Sequence, residues 1–194
     1  MTELNVQQTF WTVEDNMEVT SLSSLLEATT EEDRVYEYLS SFVCSKNKDV
    51  ELFLHKKAIE NEKRNFSRTS LITDEKNDHE IVGYFTLLVK NFDFTNVSGG
   101  MRQKLTGNKR ATAFITILIG QLGRSDAYKG KVSGKQILDL ALEHCKNHIK
   151  AYAALKVVCV EFEDIAPLHK FYEENEFKTL QKNENGLIIS YTII

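Results

Sequence analysis

Ala113-Phe114-Ile115-Thr116-Ile117-Leu118-Ile119 is followed, after a glycine-containing basic stretch, by Gly134-Lys135-Gln136-Ile137-Leu138-Asp139-Leu140-Ala141-Leu142. The first run is β-branched and continuously apolar, as a central strand buried on both faces requires. In the second, Ile137, Leu138, Ala141, Leu142, Cys145 and Ile149 form one helical stripe. Lys156–Phe162, KVVCVEF, then reads as another strand. A strand, a crossover helix and a strand in this order make a parallel βαβ step.

Outward from this step the elements change character. Thr69–Thr73 and Ile81–Val89, separated by the polar turn DEKNDHE, read as an antiparallel hairpin. Before it, Thr29 and Thr30 precede Glu31, Glu32 and Asp33, a helix-start pattern, and Val35, Leu39 and Phe42 follow at helical spacing. A second helix, capped by Asn47 or Asp49, carries Val50, Phe53, Leu54, Ala58 and Ile59. Residues 91–110 are polar, with one or two helical turns around Met101–Leu105. After Phe162, Asp164 is positioned to cap a helix with Pro167 in its first turn, and residues 186–194 close the chain with a strand. The expected fold class is α/β: a mixed sheet, mostly antiparallel, in one domain over 31–194. Residues 1–30 form an N-terminal extension holding a strand or short helix.

The 194 residues fit one domain with a real core. No apolar run reaches the ~20 residues that a spanning helix needs, so no membrane contact is expected. Residues 1–15 have neither a basic nor an apolar signal region. Three widely spaced cysteines, Cys44, Cys145 and Cys159, form neither a disulfide framework nor a zinc motif. A cytoplasmic location is the expectation. The net charge is −4, but Lys90–Lys135 carries nine basic residues against Asp93 and Asp126, a local excess of +7. That asymmetry points to a local anionic ligand or to a solvated lysine-rich face.

The loop between the strand and the helix is the strongest site. Free N–H groups at a helix start bind phosphate, and Gly130 and Gly134 allow close approach, with Lys129, Lys131 and Lys135 adding charge. A plain βα turn using glycine for geometry is the alternative on spacing alone. A Walker A loop is excluded, because six residues separate Gly123 from Gly130 and Val132 follows Lys131. The Rossmann GxGxxG is absent as well. His144 and His148 lie i,i+4 beside Cys145, with no third ligand evident, and read as solvent-facing rather than metal-binding.

Lys129-Gly130-Lys131-Val132-Ser133-Gly134 resembles the acetyl-CoA motif of the GNAT N-acetyltransferases, Gln/Arg-x-x-Gly-x-Gly/Ala. Val132 stands where the family has glycine. Phe171-Tyr172-Glu173-Glu174-Asn175-Glu176-Phe177 resembles the family's FYxxxGF segment, with Glu176 in place of glycine. Residues 42–54, FVCSKNKDVELFL, together with Asn65–Thr69 and Val82–Leu87, are similar to the branch containing toxins that acetylate aminoacyl-tRNA.

The resemblance implies that Leu122, Gly123 and Arg124 hold the pantetheine of acetyl-CoA. Lys129, Gly130, Lys131, Val132, Ser133 and Gly134 would hold its pyrophosphate. It implies that Tyr172 protonates the thiolate and that a strand-end carboxylate, Glu161 or its neighbour Glu163, accepts the amine proton, with no metal. On the residues alone, Tyr172 also reads as a core-packing helix aromatic and the glutamates as a solvated strand end. Arg68, Arg102 and Arg110 are candidate acceptor contacts. The partners implied are an amine acceptor (in the toxin-like case aminoacyl-tRNA), an antitoxin protein and a second copy in a homodimer. A small-molecule or protein amine acetyltransferase is the alternative, and a catalytically degenerate acetyl-CoA-binding module a second one.

Overall fold

In a computed structural model, which describes residues 17–194, the apolar run is the core of a longer strand, β4 (Ala113–Arg124). It sits at the middle of a sheet with β1 (Met17–Ser21), β2 (Arg68–Asp74), β3 (Glu80–Asp93), β5 (Val157–Phe162), β6 (Lys178–Lys182) and β7 (Ile188–Ile193). The order among the described residues is β1-β2-β3-β4-β5-β7-β6. Every pair is antiparallel except β4 with β5. The expected mixed sheet with one parallel step is therefore present. No helix among the described residues is long and apolar enough to cross a membrane.

Successive strand residues fall into different cores, as alternation across a sheet demands. Ile72, Phe85, Ile117 and Val158 join one cluster with Ile137, Leu138 and Ala141 of α6 (Gly134–His144). Their neighbours Leu71 and Tyr84 join a second cluster, with α1 (Leu22–Glu27), α2 (Glu32–Ser40), α3 (Lys48–Lys56) and α4 (Ala58–Lys63). Leu118 and Cys159 join a third, with Leu105 of α5 (Gly99–Thr106). So α6 covers one face, and two separate apolar clusters share the other.

Several local signals are read differently by the chain. The expected second helix is two, broken at Lys57. Asn47 is the cap, accepting from the N–H groups of Asp49 and Val50. Asp164 does not cap the helix after β5, α8 (Ala166–Glu174). Its carboxylate is taken by His169 and Lys182, which hold it below the usual carboxylate range, Lys182 most strongly. β1 and α1 fall within the N-terminal segment expected to hold a strand or short helix; β1 pairs with β2, and α1 buries Leu22. Residues 1–16 of that extension lie outside the described residues. Beyond α6 the helix widens into a π-helical stretch, Cys145–Lys150, before α7 (Ala151–Ala153).

Two glycines are fixed by packing. A Cβ at Gly123 would lie 2.6 Å from Val50 Cγ1 and 3.1 Å from both the Phe42 and Tyr84 rings. A Cβ at Gly83 would lie 2.6 Å from the Gly123 carbonyl oxygen and 2.8 Å from Ile137 Cδ1. These glycines let α3 and α6 close on the sheet from opposite sides. Gly123→Ala is expected to lower the unfolding free energy by about 1–3 kcal/mol, the usual cost of overpacking. Gly100→Ala, whose Cβ meets nothing within 4 Å, should be neutral or stabilising in the same urea titration.

Candidate active site

The site begins where β4 leaves β5. The two strands pair over three residues, from Ile117 with Val158 to Ile119 with Val160. Both continue beyond, β4 to Arg124 still paired with β3, and β5 to Phe162 still paired with β7. The departure coincides with a bulge. Thr86 faces Gln121 and Leu87 faces Ile119, so Gly120 is an extra residue in the β3–β4 ladder. Bulges bend the strand and raise its twist. Here the two strands part in a wedge, leaving the facing backbone edges of residues 120–124 and 161–162 without each other as ladder partners. Gly120 is exposed, and Gln121 and Leu122 are partly exposed.

At the mouth of the wedge the chain forms a short 3-10 turn, Asp126–Tyr128, and a loop to α6. The turn is pinned on two sides. Asp126 accepts from the Ser45 N–H at 2.9 Å, and its own N–H donates to the Val43 carbonyl. Tyr128 donates its hydroxyl between Asp74 and Glu80, at 3.0 and 3.1 Å. Burial is the main influence that pushes this phenol up to about 12.

The loop's amides divide into two sets. Lys129 donates to Asp126, and Lys131 and Val132 both donate to Tyr128. Ser133 donates to the Gln136 side chain in a capping box, whose other half is the Gln136 N–H to Ser133 Oγ. Gly130 and Gly134 are left without a protein acceptor for their N–H groups among the described residues. The Gly134 donor opens α6 at its positive end, where the helix dipole favours an anion, and Gly130 precedes it in the loop. Gly130 has φ +81°, a conformation that favours glycine. Gly134 starts the helix beneath the Phe171 ring of α8.

Val132 does not act as a ligand-facing loop residue. Its side chain is buried in the α6-side core, and its carbonyl accepts from Arg124 Nη1 at 2.8 Å. Glu176 is the opposite case. Its φ is +65°, so a charged residue holds the left-handed conformation for which the resembling segment has glycine.

Tyr172 is partly buried against the last residue of β5. Its ring stacks on Phe162 at 4.7 Å and meets Phe171 and Phe177 edge-on. Burial pushes its hydroxyl up to about 12, which keeps the phenol protonated. Phe162 belongs to the α6-side core. Glu161, one residue earlier, projects from the opposite face. It accepts from Lys90 Nζ at 2.5 Å and from Asn183 Nδ2 at 2.7 Å. Tyr172 and Glu161 therefore flank the end of β5 from the two sides of the sheet. The Lys90 and Asn183 contacts join residues 71 and 22 positions away from Glu161, which no local sequence pattern marks.

The basic segment is divided. Arg102 is wrapped by the Val97 and Ala111 carbonyls, and its guanidinium lies over Phe94. Arg68 is held by the buried carboxylate of Glu62 and by Asn65. Both arginines hold local structure in this arrangement. Lys135 pairs with Asp139. Arg110, Lys109 and Lys129 are exposed and form no ion pair among the described residues. His144 is not solvent-facing as expected. It packs on Phe85 and His148, and burial lowers it to about 4. Among the described residues no group of three His, Cys, Asp or Glu could hold a metal ion.

A splayed parallel pair with a glycine loop and helix start at its mouth defines the GNAT class of fold. Solved structures share this fold. A tyrosine-to-phenylalanine mutant of KacT aligns with a TM-score of 0.69 at 13% identity, covering 92% of this chain and 96% of that one. AtaTR bound with acetyl-CoA aligns at 0.63 and 17%, covering 92% and 94%. AtaT complexed with acetyl-methionyl-tRNAfMet aligns at 0.63 and 16%, covering 78% and 85%. The chain matches no protein-family model and no curated protein.

The two left-handed positions make a paired prediction. Glu176→Gly should raise the unfolding free energy by up to about 1 kcal/mol, and Gly130→Ala should lower it by about the same amount. Denaturant midpoints of the two variants, moving in opposite directions, check it.

Proposed function

We propose that the chain is an acetyl-CoA-dependent N-acetyltransferase whose acceptor is the amino group of an aminoacyl-tRNA in the cytoplasm. One observation carries the reading. The β4–β5 wedge, the open amides of Gly130 and Gly134, and a protonated Tyr172 converge on one strand end. The wedge offers backbone partners of Leu122 to Arg124 to a pantetheine arm, and the α6 start offers the pyrophosphate two donors and a dipole.

The chemistry follows from that placement. The lone pair of a neutral amine attacks the thioester carbon, forming the C–N bond and an oxyanion. A backbone N–H left open by the splay stabilises that oxyanion. Collapse breaks the C–S bond, and Tyr172 gives its proton to the departing thiolate. The proton lost by the amine passes through water to Glu161, whose oxygens each retain a lone pair beside the Lys90 and Asn183 contacts. Holding donor and acceptor in line supplies much of the rate.

Support for a tRNA acceptor comes from the exposed cations Lys109, Arg110 and Lys129, and from the AtaT structure complexed with acetyl-methionyl-tRNAfMet. An antitoxin partner belongs to the same reading; a Tyr-to-Phe mutant of AtaT is bound to the C-terminus of its antitoxin AtaR and to acetyl-CoA. A small or protein amine is the second reading. It is favoured by the internal engagement of Lys90, Arg68, Arg102 and Lys135, which leaves fewer charges for phosphates.

Labelled acetyl-CoA, a pool of aminoacyl-tRNA and a mixed amine panel separate the two. The tRNA reading expects label in tRNA, falling steeply as salt rises. Label only in free amines, insensitive to salt, supports the second. Tyr172→Phe should lower kcat by about 10²–10⁴-fold and leave acetyl-CoA affinity within about two-fold. Because burial raises the Tyr172 hydroxyl to about 12, its acid form persists below that pH. The rate should rise as the amine deprotonates and show no alkaline fall between pH 7 and about 10.

A further inference from the structure

Arg124 ends β4 directly beneath the loop that carries the open amides, and its contacts are unusual. Nη1 donates to the Val132 carbonyl at 2.8 Å. Nε is buried and has no hydrogen-bond partner among the described residues. Burying an unpaired donor is destabilising. A guanidinium tolerates that cost only where its remaining contacts fix it in place.

The residue it holds is the one that breaks the resemblance to the acetyl-CoA motif. Val132 stands at the motif's middle glycine, where a side chain or a carbonyl turned outward would oppose an anion. Three anchors prevent both. The side chain is 5% exposed in the α6-side core. The N–H donates to the Tyr128 carbonyl at 3.0 Å. The carbonyl accepts from the partly buried guanidinium. In a trans peptide the C=O and the following N–H point opposite ways. Fixing the Val132 carbonyl therefore also fixes the Ser133 N–H, which donates into the capping box at the α6 start.

We infer that Arg124 is a positioning residue for the pyrophosphate of acetyl-CoA. It turns the Val132 carbonyl, a repelling dipole, into the protein interior and sets the peptide that orients the Gly130 and Gly134 donors. It acts through Val132 and does not itself contact the phosphates. The inference rests on the acetyl-CoA reading and adds to it the device by which a valine replaces the motif's glycine.

The test uses the whole chain and two acyl donors, acetyl-CoA and S-acetylpantetheine, which lacks the pyrophosphate. Arg124→Met, which keeps the backbone that faces the pantetheine, is expected to raise the KM for acetyl-CoA about 10-fold and to change S-acetylpantetheine kinetics several-fold less. The Kd for CoA should weaken by the same factor and keep the wild-type dependence on salt. A loss equal for both donors would overturn the inference, since Arg124 would then support the fold in general. A salt slope reduced by about one would also overturn it, because that marks a lost direct phosphate contact. Should Arg124→Met fail to fold, Arg124→Lys gives the same readings with a loss of about 3-fold. A wild-type chain that fails to bind CoA at all overturns the acetyl-CoA reading itself, a result distinct from any difference between the variants.

Discussion

The extra residue at Gly120 is the constraint on which the rest of the structure depends. From Thr116 to Ile119 β4 is buried on both faces, and over Ile117–Ile119 it is paired on both sides; Ile115 before it is exposed. At Gly120 the ladder to β3 gains a residue, and from there β4 stays with β3 and leaves β5. A pair of strands that separates in the middle of a sheet exposes backbone donors and acceptors that would otherwise satisfy each other. The protein keeps that opening because both strands remain anchored outside it, by β3 and by β7. Glycine suits the bulge. A Cβ there would come to 3.0 Å of Leu88 Cδ2, and none exists to narrow the wedge.

What surrounds the opening follows from the same geometry. Because α6 begins just past the end of β4, its positive end lies at the wedge's mouth. Because β5 ends beside the wedge, its last two residues face opposite ways, and the side chains they meet, Tyr172 and the Lys90–Asn183 pair, lie on different faces. The loop is held from two sides, by the Ser45–Asp126 contact from the helical layer and by Tyr128 from the β2–β3 hairpin. A loop tied at both flanks costs little further ordering when a ligand arrives, which is the physical content of preorganisation.

The fold was largely legible in the sequence. The AFITILI run, the stripe from Ile137 to Ile149 and the KVVCVEF strand gave the parallel step, and the hairpin pattern gave its antiparallel neighbours. β6 was missed, because KTLQK lacks the alternation of a half-buried strand and pairs only as an exposed edge. The bulge was missed too, since a single glycine after an apolar run has many meanings. In the site, the helix-start signal at Ser133–Gly134 was readable, whereas the internal engagement of Arg68 and Arg102 was not. Their partners are a buried Glu62 and two carbonyls, which charge counting cannot see. The departures at Val132 and Glu176 read in sequence as alike. The structure separates them: valine sits without left-handed strain, and glutamate bears it.

The central claim is that acetyl-CoA lies in the β4–β5 wedge with its phosphates at the start of α6. Backbone amide NMR during a titration with acetyl-CoA tests this most directly. The account predicts the largest shifts at Gly120, Gln121 and Leu122 along the strand and at Gly130 and Gly134 in the loop, with Tyr172 and Phe162 following. Saturable shifts confined to the far edge of the sheet, at β6 and β7, with Gly130 and Gly134 unmoved, would contradict it.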